Sequence, residues 1–247
     1  MEIGGKVALV TGGGTGIGRA TALLLASKGA DVAVNYSRSK DDAEATAADI
    51  RKLGRRAVVL CADVALDDQV RRMVDETVRE LGGLHVLVNN AGWTEFVDFK
   101  DLDKLNDDVW DRTMSVNVKG PFYCIRAAAP HMQAAGGGVV VNVSSLAGSI
   151  GRGSSIPYCA SKAALNLLTR MMARVLAPAV RVNAVAPGVV TTRWVAKQTA
   201  FVRGAQMQTP MRRVAGPEDV AQAIVSLIEG NDFVTGQVLP VDGGLSA

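Results

Sequence analysis

The chain has 247 residues, of which 48% are hydrophobic and 21% are charged, and its formal net charge is +3. This composition is ordinary for one globular domain, and the scattered basic residues form no stripe of the kind that binds nucleic acid. The apolar runs have the length of strands, so the sequence predicts no membrane-spanning helix. A strand pattern starts within the first few residues, and we therefore expect no signal peptide and a cytoplasmic protein.

Strand-like and helix-like patterns alternate along the chain. The predicted strands lie near residues 6–11, 31–36, 57–62, 84–89, 139–145, 180–186 and 237–241. The predicted helices lie near residues 16–28, 40–53, 67–81, 104–134, 158–177 and 217–228. Such alternation, with strands apolar on both faces, predicts an α/β fold in which one parallel, doubly wound sheet of about seven strands is flanked by helices on both faces. We expect residues 1–247 to form a single domain.

The first predicted strand leads directly into a glycine-rich loop, GGGTGIG at residues 12–18. A strand, a glycine loop and a helix in this order place a phosphate group on the N–H groups at the start of the helix. The spacing of Gly12, Gly16 and Gly18 differs from the G-x-G-x-x-G fingerprint, so a plain tight turn is an equal alternative when the loop is considered alone.

A second motif combines Tyr158 and Lys162, four residues apart in YCASK, with Ser145 at the end of the apolar run VVVNVSS. Side chains four residues apart on a helix share one face. We expect the Lys162 ammonium to lower the pKa of the Tyr158 phenol from about 10 toward neutrality. Ser145 is expected to hydrogen-bond a substrate oxygen whose charge changes. The pattern predicts proton transfer to or from an oxygen.

Two neighbouring residues are weaker candidates for these roles. Ser144 adjoins Ser145 on a strand, where successive side chains point to opposite faces, so only one of the two serines faces the site. Cys159 adjoins Tyr158 on a helix and is rotated about 100° away from it. None of the cysteines, Cys61, Cys124 and Cys159, has metal or redox spacing, and reduced, largely buried thiols are expected without a metal site.

Together the motifs resemble the short-chain dehydrogenase/reductase family, and within it the 3-oxoacyl-carrier-protein reductases. The resemblance covers nearly the whole chain and rests on TGGGTGIG (11–18), Asp63-Val64, NNAG (89–92), Asn117, Ser145, YCASK (158–162) and PGVVTT (187–192). It implies a Rossmann-type fold and reversible hydride transfer between a nicotinamide and a carbonyl or secondary alcohol.

The resemblance also implies roles for individual residues. By this resemblance, Tyr158 is the catalytic acid/base and Ser145 polarises the substrate oxygen. Lys162 lowers the pKa of Tyr158 and holds the nicotinamide ribose, and Asn117 positions a water. The implied cofactor-binding residues are Gly12, Gly14, Thr15, Gly16, Ile17, Gly18, Tyr36, Ser37, Arg38, Asp63, Val64, Asn89, Ala91, Gly92, Tyr158, Lys162, Pro187, Gly188, Val190 and Thr192. Each motif also has a structural alternative, such as a turn at NNAG or a helix cap at Asp63.

The end of the second predicted strand bears on the choice of cofactor. It reads Tyr36, Ser37 and Arg38, with no carboxylate to repel a 2′-phosphate, whereas Arg38 is able to pair with one. NADP is therefore favoured. NAD remains an alternative, because Thr15 stands where many NADP-dependent relatives carry a second basic residue.

Residues 189–214 interrupt the alternation and are predicted to form a lid over the substrate. The candidate substrate pocket consists of Trp93, Ser145, Leu146, Tyr158 and Trp194. The resemblance would place arginines for an acyl-carrier protein at residues 132–138 and 175–180, where this chain has no basic residue. We therefore expect a small ketone or alcohol and disfavour a carrier-protein partner.

Two other interpretations remain open, and a third is disfavoured by the chain length. The chain would also suit a catalytically silent nucleotide-binding regulator on the same fold, or an NAD-linked polyol, sugar or hydroxy-acid dehydrogenase. A related epimerase or dehydratase usually needs a separate substrate domain, for which 247 residues leave no space.

Two predicted helices carry more apolar side chains than one sheet face needs. These side chains are Phe122, Ile125, Leu167, Leu168, Met171 and Met172. Pairing between subunits would bury them. The resemblance implies a homotetramer, in which the C-terminal segment forms the second contact.

Overall fold

The computed structural model describes residues 1–196 and 198–247, so residue 197 of the predicted lid lies outside the described residues. Within them, the strands are β1 Val7–Val10, β2 Asp31–Tyr36, β3 Ala57–Cys61, β4 Val86–Asn89, β5 Gly138–Val143, β6 Val180–Pro187 and β7 Val238–Val241. They pair in parallel in the order β3-β2-β1-β4-β5-β6-β7. The predicted seven-stranded, doubly wound sheet of Rossmann type is confirmed.

Helices cover both faces of the sheet. They are α1 Gly16–Ser27, α2 Lys40–Lys52, α3 Asp67–Leu81, α4 Asp107–Met114, α5 Gly120–Ala134, α6 Ala147–Ile150, α7 Ile156–Leu176, α8 Thr199–Gln208 and α9 Pro217–Ile228. Successive strand residues pack against helices on opposite faces of the sheet. Val10 packs in a cluster with α1, α2 and α9, whereas Leu9 packs in a cluster with α3, α5 and α7. None of the described helices is long and apolar enough to cross a membrane.

The helix predicted over residues 104–134 is interrupted. The structure has a 3₁₀ turn at Leu102–Lys104, then α4, a π-helical turn at Ser115–Lys119, and α5. Pro121 explains the interruption, because it has no N–H to donate to the main-chain carbonyl of Asn117, four residues earlier. The prediction of one uniform helix was wrong at this point.

Two expectations about individual side chains were also wrong. Cys61, expected to be buried, is exposed at the end of β3. Ile125, expected to contribute to a subunit contact, is fully buried in the monomer, because it packs in the core between α5 and the sheet.

The sheet order determines where a ligand binds. The connections reverse direction between β1 and β4, which lie side by side in the middle of the sheet. In open α/β sheets, ligands bind outside the carboxyl ends of the strands at such a reversal. The glycine loop follows β1 and the NNAG motif follows β4, so both motifs meet at this crevice.

Candidate active site

A cavity of about 770 Å³ opens at the carboxyl ends of the strands. Its walls are the segments that follow β1, β2, β4, β5 and β6, together with α8. The predicted site residues that line it are Gly12, Gly14, Thr15, Gly16, Ile17, Tyr36, Ser37, Arg38, Ala91, Gly92, Ser145, Leu146, Tyr158, Lys162, Pro187, Gly188, Val190, Thr192 and Trp194. This volume is in the range of small-molecule and cofactor sites.

The glycine loop is attached to the end of β4 by Asn90. The Asn90 amide Nδ2 donates to the main-chain oxygens of Thr11 at 2.9 Å and Gly12 at 3.1 Å. A Cβ atom on Gly18 would lie 2.3 Å from the Gly12 oxygen. The glycine loop therefore packs this closely on α1 only because residue 18 has no side chain. Gly18 therefore lies beneath the loop and does not line the cavity, contrary to its predicted role in cofactor contact.

Asn89 was also predicted to contact the cofactor, and it does not line the cavity. Its Nδ2 donates to Asn142 Oδ1 at 2.8 Å inside the sheet. The adjacent Asn90 lines the cavity instead. Asn89 belongs to β4, and its side chain bonds to the neighbouring β5, whereas Asn90 follows the strand. The motif NNAG alone does not show which of the two asparagines faces the cavity.

The segment after β2 forms one end of the cavity. Tyr36, Ser37 and Arg38 line it there, and Arg38 is exposed. Arg193, which sequence analysis did not single out, reaches the same end: its guanidinium lies 2.7 Å from Asp42 Oδ2 and 2.8 Å from Ser39 Oγ. Arg193 lies about 150 residues from Asp42 in the sequence, so the sequence did not predict that the two side chains meet.

A side pocket of about 60 Å³ adjoins the main cavity. Asp63, Val64, Trp93 and Arg112 are among its lining residues, and Arg112 Nη2 pairs with Asp63 Oδ2 at 3.0 Å. Trp93, which was predicted to line the substrate pocket, lines this side pocket and not the main cavity. Asn117 bonds to both main-chain groups of Trp93, at 2.8 and 2.9 Å, and the indole packs against the cluster that contains α3 and α5.

Ser145, Tyr158 and Lys162 meet at the other end of the cavity. The Ser145 hydroxyl faces the Tyr158 phenol closely enough to lower the pKa of that phenol. Ser145 Oγ also accepts from the Ala147 N–H at 3.2 Å. Ser144 also borders the cavity, but its hydroxyl donates to Asn166 Oδ1 at 2.6 Å in the buried contact with α7.

The electrostatics of Tyr158 and Lys162 differ from the expectation. Burial raises the pKa of Tyr158 to about 12, an effect that the Ser145 hydroxyl only partly opposes. Burial also lowers the pKa of Lys162 to about 8. The ammonium lies 5.6 Å from the centre of the phenol ring and donates to the Val143 carbonyl at 2.8 Å. The expected lowering of the tyrosine pKa is wrong for this structure, because loss of hydration outweighs attraction at that distance.

Asn117 lies behind the cavity wall. Its side chain bonds to Trp93 and donates to Ser161 Oγ at 3.0 Å, and Ser161 in turn donates to the Tyr158 carbonyl at 2.7 Å. The amide therefore positions the segment after β4 and helix α7, and both of its N–H groups are used. Pro121 leaves the Asn117 main-chain carbonyl without an α-helical donor.

Side chains of the segment predicted to form a lid line the reacting end. The Trp194 ring meets Tyr158 edge-on, with ring centres 6.2 Å apart. Val195 and Phe201 from the same segment also line the cavity, as do Phe96 and Ile150. Arg152 and Leu245 complete this end, and sequence analysis had not identified either of them.

The cavity fits a nicotinamide dinucleotide. The start of α1 and the glycine loop provide N–H groups for a diphosphate. Arg38 and Arg193 are cations at the end where a 2′-phosphate would lie, and none of the described lining residues is acidic. Among the described residues, no group of histidine, cysteine and acidic side chains has a geometry suitable for a metal ion.

Comparison with known proteins identifies the family. The family model for short chain dehydrogenases matches residues 6–202. A Streptomyces violaceoruber protein named as ketoacyl reductase 2 of the granaticin polyketide synthase is 45% identical over 96% of this chain and 95% of its own. The cis-4-hydroxycyclohexanecarboxylate dehydrogenase of Sinomonas cyclohexanicum is 42% identical over 98% of this chain and 97% of its own.

A solved structure is also similar over its whole length. The short chain dehydrogenase of Burkholderia cenocepacia J2315, crystallised in complex with NADP, superimposes with a TM-score of 0.93 at 37% identity, and the match covers 100% of both chains. The glycine loop, the segment after β4 and the serine–tyrosine–lysine group thus lie in a chain that belongs to the short-chain dehydrogenase family.

Proposed function

We propose that this oxidoreductase uses NADP and reduces a small ketone to a secondary alcohol. The observation that carries the proposal is the composition of one cavity. A glycine loop and two arginines suited to NADP line one end, and Ser145, Tyr158 and Lys162 line the other. The alternative of a silent regulator has no supporting observation, since all four predicted catalytic side chains are present.

In the proposed mechanism, the bound nicotinamide supplies the hydride. The Ser145 hydroxyl donates a hydrogen bond to the substrate carbonyl oxygen and polarises it. The Tyr158 phenol, protonated at neutral pH because its pKa is about 12, gives its proton to the same oxygen. Lys162 holds a positive charge beside the tyrosine, and a water at the Asn117 carbonyl restores the proton.

The relatives support this class of reaction. The names of the two relatives compared above describe a ketoacyl reductase and a hydroxycyclohexanecarboxylate dehydrogenase, which act on a ketone and on a ring alcohol. We propose a small-molecule substrate for this chain, covered by a lid at residues 189–214 that is part of a single catalytic domain. We also propose that the protein works in the cytoplasm, where its free thiols stay reduced, and as a homotetramer.

The proposal is tested by initial rates of ketone reduction with NADPH and with NADH, in the wild type and in Arg38→Ala. We expect the wild type to prefer NADPH. The variant should lose about tenfold or more in kcat/KM for NADPH, because a hydrogen bond to a charged group contributes about 1.5–3 kcal/mol. Its kcat/KM for NADH should change less than about twofold. Equal losses with both cofactors would contradict the assignment of Arg38 to the 2′-phosphate.

A further inference from the structure

The cavity has an unbalanced charge. Its described lining includes Arg38, Arg152, Arg193 and Lys162, and no aspartate or glutamate. Such a surface attracts anions. The phosphates of a dinucleotide account for Arg38, the Asp42 carboxylate pairs with Arg193, and Lys162 lies under the reacting tyrosine. Nothing in the proposed reaction uses Arg152.

Arg152 belongs to the reacting end of the cavity. It immediately precedes Gly153, and a Cβ atom on Gly153 would lie 3.4 Å from Tyr158 Cδ1 and 3.1 Å from Cys159 Sγ. The next residue, Ser154, accepts a main-chain hydrogen bond from Val97 at 2.9 Å and bonds to Thr94 at 2.6 Å. These contacts keep the Arg152 backbone beside the catalytic tyrosine.

The surroundings of Arg152 do not neutralise it. No salt bridge or hydrogen bond joins its side chain to any other residue in the described part of the chain. The other residues at this end are mainly apolar: Phe96, Ile150, Trp194, Val195, Phe201 and Leu245. An exposed guanidinium at the edge of an apolar chamber favours a ligand that is hydrophobic in its body and carries a planar anion.

We infer that Arg152 binds a carboxylate of the substrate, and that the protein acts on small oxo acids whose carbonyl and carboxylate are separated by an apolar ring or chain. The inference rests on the proposed function and names its substrate class. A phosphate of a coenzyme A thioester is an alternative source of negative charge, and the experiment separates the two.

Binding is measured first, in the protein–NADPH complex, by the change in NADPH fluorescence on titration with 4-oxocyclohexanecarboxylate or its neutral methyl ester. The variants are Arg152→Gln, Arg152→Lys and the control Arg203→Gln, which changes an exposed arginine of α8 that does not line the cavity. The wild type and the control should bind the acid at least about tenfold more tightly than the ester, the Lys variant should retain part of this preference, and the Gln variant should lose it.

Reduction rates provide the second readout. The Gln variant should lose at least about tenfold in kcat/KM for the acid and less than about twofold for the ester. If the acid binds with the expected preference but is not reduced, the inference stands and the proposed ketone reduction fails for this class. A wild type that binds acid and ester equally, or binds neither, overturns the inference. So does a larger dependence on Arg152 for acetoacetyl-CoA than for the acid.

Discussion

Two buried ionisable side chains set the chemistry at the reacting end. Burial raises the pKa of Tyr158 to about 12 and lowers the pKa of Lys162 to about 8. A phenol that is protonated at neutral pH is ready to act as an acid, which suits the reductive direction. Alcohol oxidation needs the phenolate form of Tyr158. Below the pKa of about 12, the rate of oxidation should therefore rise with pH, whereas the rate of reduction should stay constant.

Lys162 is also expected to make stability depend on pH. Between about pH 8 and pH 10.5 the unfolded chain holds a proton on this lysine that the folded chain does not. The free energy of unfolding therefore rises with pH across this window, and below about pH 8 the buried charge destabilises the protein by about 3 kcal/mol.

Urea unfolding of the wild type and Lys162→Met, at one protein concentration and several pH values, measures this effect. The free energy of the wild type relative to the variant should increase by up to about 3 kcal/mol from pH 8 to pH 10.5. Other groups that titrate in this range are common to both proteins and cancel. Parallel pH profiles would show that Lys162 is not buried as a cation.

At the residue scale, the sequence located most of the site through spacing. The spacing of thirteen positions from Ser145 to Tyr158, and of four from Tyr158 to Lys162, predicted side chains that do line one cavity. Asn89 and Trp93 do not line the main cavity, because a motif does not tell which of two adjacent side chains points inward. Arg193 and Arg152 were missed because their positions depend on tertiary contacts with distant segments.

At the scale of elements, the alternation of apolar runs was sufficient to predict the strands and most helices, often to within one or two residues. It did not predict α6 or α8, which are short or lie in the irregular segment before α9. It also missed the π-helical turn. Apolar periodicity does not distinguish one helix from two that are joined without a loop, although Pro121 was a local signal for the interruption.

The lid is joined to α2 by Arg193, through Asp42 and Ser39. An exposed ion pair of this kind contributes at most about 1 kcal/mol, so its loss should loosen the lid without unfolding the protein. We expect amide hydrogen exchange in residues 190–212 to become about two- to fivefold faster in Arg193→Ala and in Asp42→Asn, with no change in the central strands.

Arg203→Ala is the matched control, because Arg203 is exposed on α8. Mass spectrometry of the cofactor-free protein measures the amide hydrogen-exchange rates of the lid and of the central strands in one experiment. Unchanged lid exchange in both Arg193→Ala and Asp42→Asn would rule out a contribution of this contact to lid order.

At the scale of the whole molecule, α7 presents an apolar stripe to solvent. Leu167, Met171 and Val175 lie four residues apart on one face and are 56%, 53% and 71% exposed. A second subunit would remove this surface from water. This stripe supports the proposed pairing of helices. It does so better than the six apolar residues predicted from the sequence, because one of those six, Ile125, is a core residue.

Sedimentation equilibrium at micromolar concentration tests the assembly. The wild type should sediment well above the 25.8 kDa of one chain, and Met171→Glu should shift it toward smaller species by placing charge in the contact. Leu53→Glu, a similarly exposed position on the opposite side of the sheet, should have no effect. A single species of 25.8 kDa for the wild type would contradict the tetramer.

The central claim is that this cavity transfers a hydride from NADPH to a ketone while Tyr158 supplies the proton. Its most direct test incubates the enzyme with 4-oxocyclohexanecarboxylate and NADPH deuterated at C4, using each of the two C4 epimers in turn, and measures the mass of the alcohol. We expect one deuterium at the carbinol carbon from one epimer only, at a rate at least about 100-fold lower in Tyr158→Phe. Unlabelled product from both epimers, or a Tyr158→Phe variant that works at the wild-type rate, would contradict the account.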